Sequence, residues 1–397
     1  MRSICVYTSG RMEYGLLRGL MTDIASSDDL QLQILVSGMH LSPEFGMTVD
    51  DIRDDGFVPD EKVEILLSGD TTTAVCKSMG LALIAYGEAL QRLQPDIIVV
   101  LGDRFEAFCM AAAAQICRVP VAHIHGGEIT QGAIDEAFRH SITKMSHLHF
   151  ASCEAYRQRI LQLGESAEHV FNVGALGVEN IRRTRIMSRQ ELAESISFNL
   201  DRAYFLVTFH PVTLEASTAK TQIEALLEAL QGVSDYPVIF TKTGADTDGR
   251  VINQMIDDFV RSHDDRAVAL TSLGTVRYLA AVKYSAAVIG NSSSGIVEVP
   301  SLKVPTVNIG DRQKGRVRAA SVIDCRPDSR AIKTAIKRAI DPKFRRSLRA
   351  TANPYEQPDT AKQIVESLRN IRLKGIIKKQ FHDIDAAMAP EPVSCHE

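Results

Sequence analysis

"PDIIVVLGDRFEAFCMAAAAQIC", from Pro95 to Cys117, changes character twice within a few residues. A run of branched aliphatic residues is interrupted by Gly-Asp-Arg and followed by an alanine-rich segment. The run over 96–102 is short, and its centre, 97–101, is wholly apolar and mostly β-branched, which predicts a strand buried on both faces. The segment 105–117 carries good helix formers and predicts a helix. A buried strand leading straight into a helix is half of a βαβ unit.

The alternation extends outward in both directions. Strands are predicted at 3–8, 31–37, 62–67, 96–102, 119–125, 147–152 and 170–173, with helical patterns such as 74–92 between most of them. The second half repeats the plan, with strands near 204–209, 236–241, 267–271, 286–290, 304–309 and 321–325. Such alternation implies parallel sheets covered by helices on both faces. Thirteen strands are too many for one comfortable open sheet. The polar, strand-free stretch around 176–203 is the natural seam. The expected class is α/β, with two doubly wound Rossmann-like domains facing a cleft, over 1–178 and 179–357. The stretch 373–397 loses periodicity and gathers prolines, so partial mobility is expected there.

Over 397 residues the formal net charge is −4, which gives no general pull toward nucleic acid or an acidic membrane. Seven scattered cysteines without a Cys-x-x-Cys fit reduced thiols in a cytosol. The apolar stretch near the N-terminus is too short for a signal-peptide core, and no apolar run approaches membrane-spanning length. A cytoplasmic protein is expected.

Open parallel sheets bind ligands beyond the carboxyl ends of their strands, so polar clusters just after apolar runs are the candidates. In "TSGRMEYG", Ser9 or Gly10 suits a helix cap and Glu13 its first turn. Arg11 opposes the helix dipole there, which makes sense if a phosphate lies between them. Asp103 follows five apolar residues, so partly dry surroundings are expected, with an ordinary N-cap as the alternative. His123 and His125 stand two apart on a predicted strand, hence on one face. They and "HLH" at 147–149 admit a metal reading, but no further ligand spacing follows. Histidines bonded to backbone are the commoner outcome, and no metal is expected. "GAIDEAFRHSITKMSH" places Asp135 and Arg139, and Glu136 and His140, four apart on a helix. Ile134, Phe138, Ile142 and Met145 define its buried face.

His210, before Pro211, stands at a strand tip and suits acid–base work. Asp246 and Asp248 have the spacing of a divalent-cation pair, but capping of a helix at 249–262 is the preferred reading. In "VIGNSSSGIVEVP", Ser292 and Ser293 suit an anion and Glu298 suits ribose hydroxyls. Arg312, Lys314, Arg316 and Arg318 add charge for a diphosphate.

"GDRFE", "HIHGGE", "DEAFRHSITKMSHLH", "FHPVT", "IGNSSSGIVEVP" and "NIGDRQKGR", in this order and spacing, resemble the hydrolysing UDP-N-acetylglucosamine 2-epimerases, with the bacterial sialic- and legionaminic-acid branch nearest. The resemblance covers roughly residues 1–372. It implies a GT-B fold whose last helix, about 358–372, crosses back to the first domain. It also implies a homodimer or homotetramer needing no cofactor. The implied reaction converts UDP-GlcNAc and water to N-acetylmannosamine and UDP through a 2-acetamidoglucal. The alternative substrate is UDP-N,N′-diacetylbacillosamine. Asp103 and Asp135 become acid–base carboxylates, with His125, Arg139 and His210 beside them. Arg11, His40, Arg104, Leu273, Ser292, Ser293, Glu298 and Arg312 become UDP-sugar contacts. Many members carry Glu where this chain has His125, so Asp103, Asp135 and His125 all remain candidates for taking the C2 proton. A GT-B glycosyltransferase is the more distant alternative, because it would share the nucleotide half.

Overall fold

The computed structural model describes residues 1–67, 69, 71–131, 134–212, 218–243 and 248–383. In the first half, the strands are β1 (Arg2–Thr8), β2 (Leu30–Ser37), β3 (Glu61–Val63), β4 (Ile97–Leu101), β5 (Val121–Ile124), β6 (Leu148–Ala151) and β7 (Val170–Asn172). The helices among and after them are α1 (Arg11–Ala25), α2 (Val49–Asp54), α3 (Thr72–Leu93), α4 (Phe105–Cys117), α5 (Asp135–Met145), α6 (Glu154–Gln162), α7 (Leu176–Arg183) and α8 (Arg189–Ser195). The second half runs β8 (Phe205–Thr208), α9 (Ala219–Gln231), β9 (Val238–Thr241), α10 (Gly249–Ser262), β10 (Ala267–Leu270) and α11 (Gly274–Tyr284). It continues with β11 (Ala287–Gly290), α12 (Ser294–Val297), β12 (Thr306–Ile309), β13 (Val322–Cys325), α13 (Ser329–Ile340), α14 (Pro342–Ser347) and α15 (Thr360–Asn370).

All the strand pairs are parallel, in the orders β3-β2-β1-β4-β5-β6-β7 and β10-β9-β8-β11-β12-β13. Alternating side chains feed two cores per sheet. Ile4 and Val6 join one cluster, Cys5 and Tyr7 another on the opposite face. Phe205 and Val207 against Tyr204 and Leu206 do the same in the second sheet. Strand order reverses between β1 and β4 and again between β8 and β11. These two switch points open crevices at the carboxyl ends of the strands.

The last helix packs on the first sheet, with Ala361, Ile364, Val365 and Leu368 in the cluster of Ile4 and Val6. Glu179 of α7 accepts from Ala361 N at 2.6 Å, satisfying a donor of the first turn. The Arg2 guanidinium donates to the carbonyls of Leu368, Arg369 and Ile371 at the other end, where a cation suits the helix dipole.

Several local expectations need correction. The strand predicted over 62–67 ends at Val63, although Ile65 beyond it is buried. Ile134 is 53% exposed, because α5 begins one residue later and turns it outward. Asp248 occupies the cap position of α10 with a φ of 64°, and its side chain makes no cap. Asp246 and residues 384–397 lie outside the described residues. Where partial mobility was expected over 373–397, the described part makes tertiary contacts as far as His382, whose N–H donates to Gly164 O at 3.0 Å. Lys379 Nζ meets Glu165 at 2.7 Å and donates to two carbonyls, while the Phe381 ring packs on Gly164.

Candidate active site

Both switch points are lined by the polar clusters that follow their strands. After β1, Gly10 starts α1, and Glu13 folds back to accept from Ser9 N at 2.7 Å. Burial raises the Glu13 carboxyl to about 7, and nearby Glu106 adds to the rise. Arg11 projects from the first turn to Asp51 at 3.3 Å. A side chain on Gly274 would come within 3.0 Å of the Arg11 guanidinium, so this cation reaches the second half beside Leu273. Leu273 itself is buried and precedes α11. His40 is fully buried, with ring nitrogens 2.9 Å from Thr8 Oγ1 and 2.8 Å from Thr48 Oγ1. Burial drops its pKa to about 4, so it braces the loop as a neutral ring.

After β4, Asp103 does not cap α4; Arg104 holds that position. The Asp103 carboxylate instead pairs with the Arg139 guanidinium. Arg104 forks onto Glu106 at 3.2 and 3.3 Å. Arg139 is 1% exposed and also bonds Thr130 Oγ1 at 2.8 Å and Glu136 at 3.2 Å. Burial presses its pKa down, and the guanidiniums of Arg316, Arg159 and Arg312 press the same way. These guanidiniums come from both halves, and the Asp103, Glu136 and Glu128 carboxylates offset part of their repulsion. Asp135 is the first residue of α5, one turn before Arg139. Burial raises the Glu136 carboxyl, but His140 and the Thr130 N–H outweigh it and leave the pKa low.

β5 ends at Ile124, so His125 is not on the strand with His123. Its backbone takes a φ of 66°, while its N–H still donates to Phe150 O at 2.9 Å. His123 Nε2 lies 2.7 Å from the Gly102 carbonyl and Nδ1 lies 3.2 Å from Thr143, and burial lowers its pKa to about 3. His149 is engaged by Glu165 at 3.0 Å. Among the described residues, no group of three or more His, Cys, Asp or Glu side chains could hold a metal ion.

In the second half, Asn291 after β11 binds the backbone of His210 at both ends, accepting from N at 2.7 Å and donating to O at 2.8 Å. Its carbonyl accepts from Arg312 at 3.1 Å and Gln313 at 3.0 Å. His210 Nδ1 faces Thr243 Oγ1 at 2.9 Å. Ser292 and Ser293 follow Asn291 and lead into α12, where Tyr278 donates to Ser294 at 2.7 Å. Glu298 Oε2 is buried without a hydrogen-bond partner among the described residues. Burial raises its carboxyl to about 7, against the Ser294 hydrogen bond. In the arginine loop, Lys314 points to solvent, while Arg316 is buried against Glu128 at 2.6 Å.

Asp103 and Arg139 are paired directly, His210 and Arg312 share Asn291, and Thr130 joins Arg139 to Arg316 of the second half. The sequence reading passed over Asn291, Glu128, Arg159 and Thr130. Glu128 stood in the quoted "HIHGGE", but nothing local marked it as the partner of an arginine far along the chain.

A family model described as UDP-N-acetylglucosamine 2-epimerase matches residues 22–369. The chain is 40% identical over 384 residues to a Campylobacter jejuni protein named GDP/UDP-N,N'-diacetylbacillosamine 2-epimerase (hydrolyzing), covering 96% of this chain and 99% of that one. It is 40% identical over 386 residues to an Escherichia coli protein named Polysialic acid biosynthesis protein P7, covering 97% and 98%. It is 33% identical over 377 residues to a Legionella pneumophila UDP-N,N'-diacetylbacillosamine 2-epimerase (hydrolyzing), covering 95% and 98%. An S. aureus MnaA-UDP co-structure superposes with a TM-score of 0.78 at 17% identity, covering 97% of this chain and 100% of that one. A Neisseria meningitidis UDP-GlcNAc 2-epimerase bound to UDP-GlcNAc gives 0.77 at 17%, covering 93% and 99%. At that identity the likeness concerns architecture: two Rossmann-type domains in the GT-B arrangement.

Proposed function

The chain belongs to the UDP-N-acetylglucosamine 2-epimerase family, in its hydrolysing branch, and from that membership we propose that it converts UDP-GlcNAc and water to N-acetylmannosamine and UDP. The observation that carries the site assignment is the Asp103–Arg139 pair set among guanidiniums from both halves. Arg11, Arg312, His210, Ser292 and Ser293 receive the diphosphate, and Glu298 faces the ribose. Leu273 and Arg104 line the pocket. Asp103, Asp135 and His125 form the acid–base set. One of them takes the C2 proton as the C1–oxygen bond breaks and UDP departs, leaving the glucal. Water then adds across the double bond with C2 inverted.

The names of the C. jejuni and L. pneumophila relatives favour a second reading, the same chemistry on UDP-N,N'-diacetylbacillosamine. The E. coli relative, named for polysialic acid biosynthesis, supports the first. Measuring kcat/KM for both UDP-sugars decides between them. The expected preference is for UDP-GlcNAc. A hundredfold preference for the bacillosamine derivative, about 2.7 kcal/mol, overturns it. Free amino sugar inverted at C2, plus UDP, in the absence of any acceptor excludes a glycosyltransferase.

We also propose a homo-oligomer assembled through α3 and α4. Ile84 is 68% exposed and Ile116 84%, and Leu81 lies beside Ile84 on the outer stripe of α3. Large apolar side chains grouped on a surface mark interaction sites. Ile84→Glu with Ile116→Glu is expected to reduce the mass found by light scattering to that of one chain, without lowering Tm of the residual fold. An unchanged mass refutes the placement. No helix among the described residues is long and apolar enough to cross a membrane. The six described cysteines are unpaired, which supports a cytosolic setting.

A further inference from the structure

His125 is held in a conformation that its own sequence does not favour. Its backbone has a φ of 66°, unusual for a residue other than glycine, and its N–H donates to Phe150 O at 2.9 Å. Two glycines follow, and neither tolerates a side chain. A Cβ on Gly126 would lie 2.9 Å from His123 Nδ1, and one on Gly127 would lie 2.5 Å from Tyr156 O. The loop is therefore built to turn the imidazole out of the sheet. Once there, the ring is buried, and Nε2 has no hydrogen-bond partner among the described residues. Nδ1 faces Glu128 Oε1 at 3.7 Å.

Glu128 is 3% exposed and committed on both oxygens. Oε1 accepts from Ser152 Oγ at 2.7 Å, and Oε2 pairs with Arg316 at 2.6 Å. Arg316 comes from the loop after β12, in the other half of the molecule. Tyr156 and Tyr355 fasten that loop, because Val317 N donates to one hydroxyl at 3.0 Å and its carbonyl accepts from the other at 2.8 Å. The charged groups acting on the His125 imidazole are Glu128 and Arg316, and His123 lies below it on β5.

From this arrangement we infer that Glu128 is a positioning residue: it holds His125 as the Nδ1–H tautomer, leaves Nε2 as a proton acceptor toward the sugar, and is itself held by Arg316 across the cleft. The inference rests on the sugar-site reading above. At 3.7 Å the carboxylate acts on Nδ1 through its charge rather than through a hydrogen bond, which favours the N–H on that side and leaves the other nitrogen as the base. Because the carboxylate is shared with an arginine of the second half, the arrangement is complete only when the halves are together.

The tautomer is read directly from long-range 1H–15N spectra of histidine-labelled protein without substrate, with His125→Asn identifying the signals. The expected pattern is a protonated Nδ1 and a bare Nε2. Removing Glu128 alone would leave Arg316 as an uncompensated buried charge, so the variant is Glu128→Leu with Arg316→Met. It is expected to lose that tautomer preference and to fall at least about tenfold in kcat with little change in KM. If this double variant does not fold, Arg316→Met alone supplies the test. Arg316 holds the imidazole pKa down, so its loss moves the acid limb of kcat/KM to higher pH. An unchanged tautomer, an unchanged kcat or a stationary limb overturns the inference. The spectrum needs no substrate, so a wrong sugar leaves the tautomer result standing, while a failed tautomer leaves the reaction assignment untouched.

Discussion

Asp103→Asn enzyme turns over about 10²–10⁴-fold more slowly than the parent while binding UDP with nearly unchanged affinity. Asp103 keeps 24% of its side chain exposed, whereas its partner Arg139 keeps 2%, so the carboxylate is the member of the pair open to a ligand. Asparagine retains an acceptor oxygen for the guanidinium and the same volume, so the pocket survives. What disappears is an oxygen able to take or return a proton. Asp135→Asn, one helical turn from Arg139, is expected to behave alike. Product formed in D₂O should carry deuterium at C2, because the C2 proton leaves and solvent supplies its replacement. Ser292→Ala should do the opposite of the carboxylate variants. Losing one hydrogen bond to a charged diphosphate weakens UDP binding by about 1.5–3 kcal/mol. Normal turnover in both aspartate variants sinks the acid–base assignment. Product without deuterium at C2 sinks the elimination route.

Gly290→Ala is expected to damage the protein more than any surface change and to leave little folded material. Gly290 sits at a φ of 138°, the region that side chains rarely adopt, and pairs with Thr208 across β8 and β11. A Cβ there would lie 1.8 Å from the Thr208 carbonyl oxygen and 2.7 Å from its carbon. Both obstacles are backbone, so no side-chain rotation relieves them. The substitution should cost upward of about 4 kcal/mol, the range reserved for severe core defects. For a unit of this size that is a fall in Tm of about 8–16 °C. Residual protein should bind UDP poorly, because Asn291 follows immediately and supports His210. Gly87→Ala is the control. Nothing in its own chain lies within 4 Å of its Cβ position in α3, so in the separated chain helix propensity acts, stabilising by about 0.8–1 kcal/mol. A Gly290→Ala protein melting with the parent contradicts the reading.

All thirteen strands overlap the apolar runs that predicted them; β4 and β11 are buried throughout, and a strand buried on both faces needs little else to declare itself. The strand-end positions of the candidate site were legible for the same reason. In a doubly wound sheet, ligand groups follow strand ends, which places Asp103 and His210 before any coordinate is known. The first residues to escape were those whose role depends on how two halves face each other. Arg316 was read with Arg312, Lys314 and Arg318 as charge for a diphosphate, and only the closed cleft separates it, buried on Glu128, from Lys314 in solvent. His125 looked like a strand residue because alternation continues through it; the turn at 66° comes from the glycines beyond. Lys379 and Phe381 carry no periodicity, so their docking onto Glu165 and Gly164 left no trace in the pattern.

The helix that returns to the first sheet also sets a timetable for synthesis. β1 through β7 are complete once Asn172 has emerged, yet the apolar groove filled by Ile364 and Leu368 has no occupant until α15 is made. At about 5–20 residues per second, the interval between Asn172 and Thr360 lasts about 10–40 s. During that time the half that begins first exposes a patch of Ile4, Val6 and Leu17 character, while the half that begins second can close on its own. The order in which the halves mature is therefore the reverse of the order in which they are translated. The last turn of α15, tied to Arg2, closes the first half only after the second half has been made.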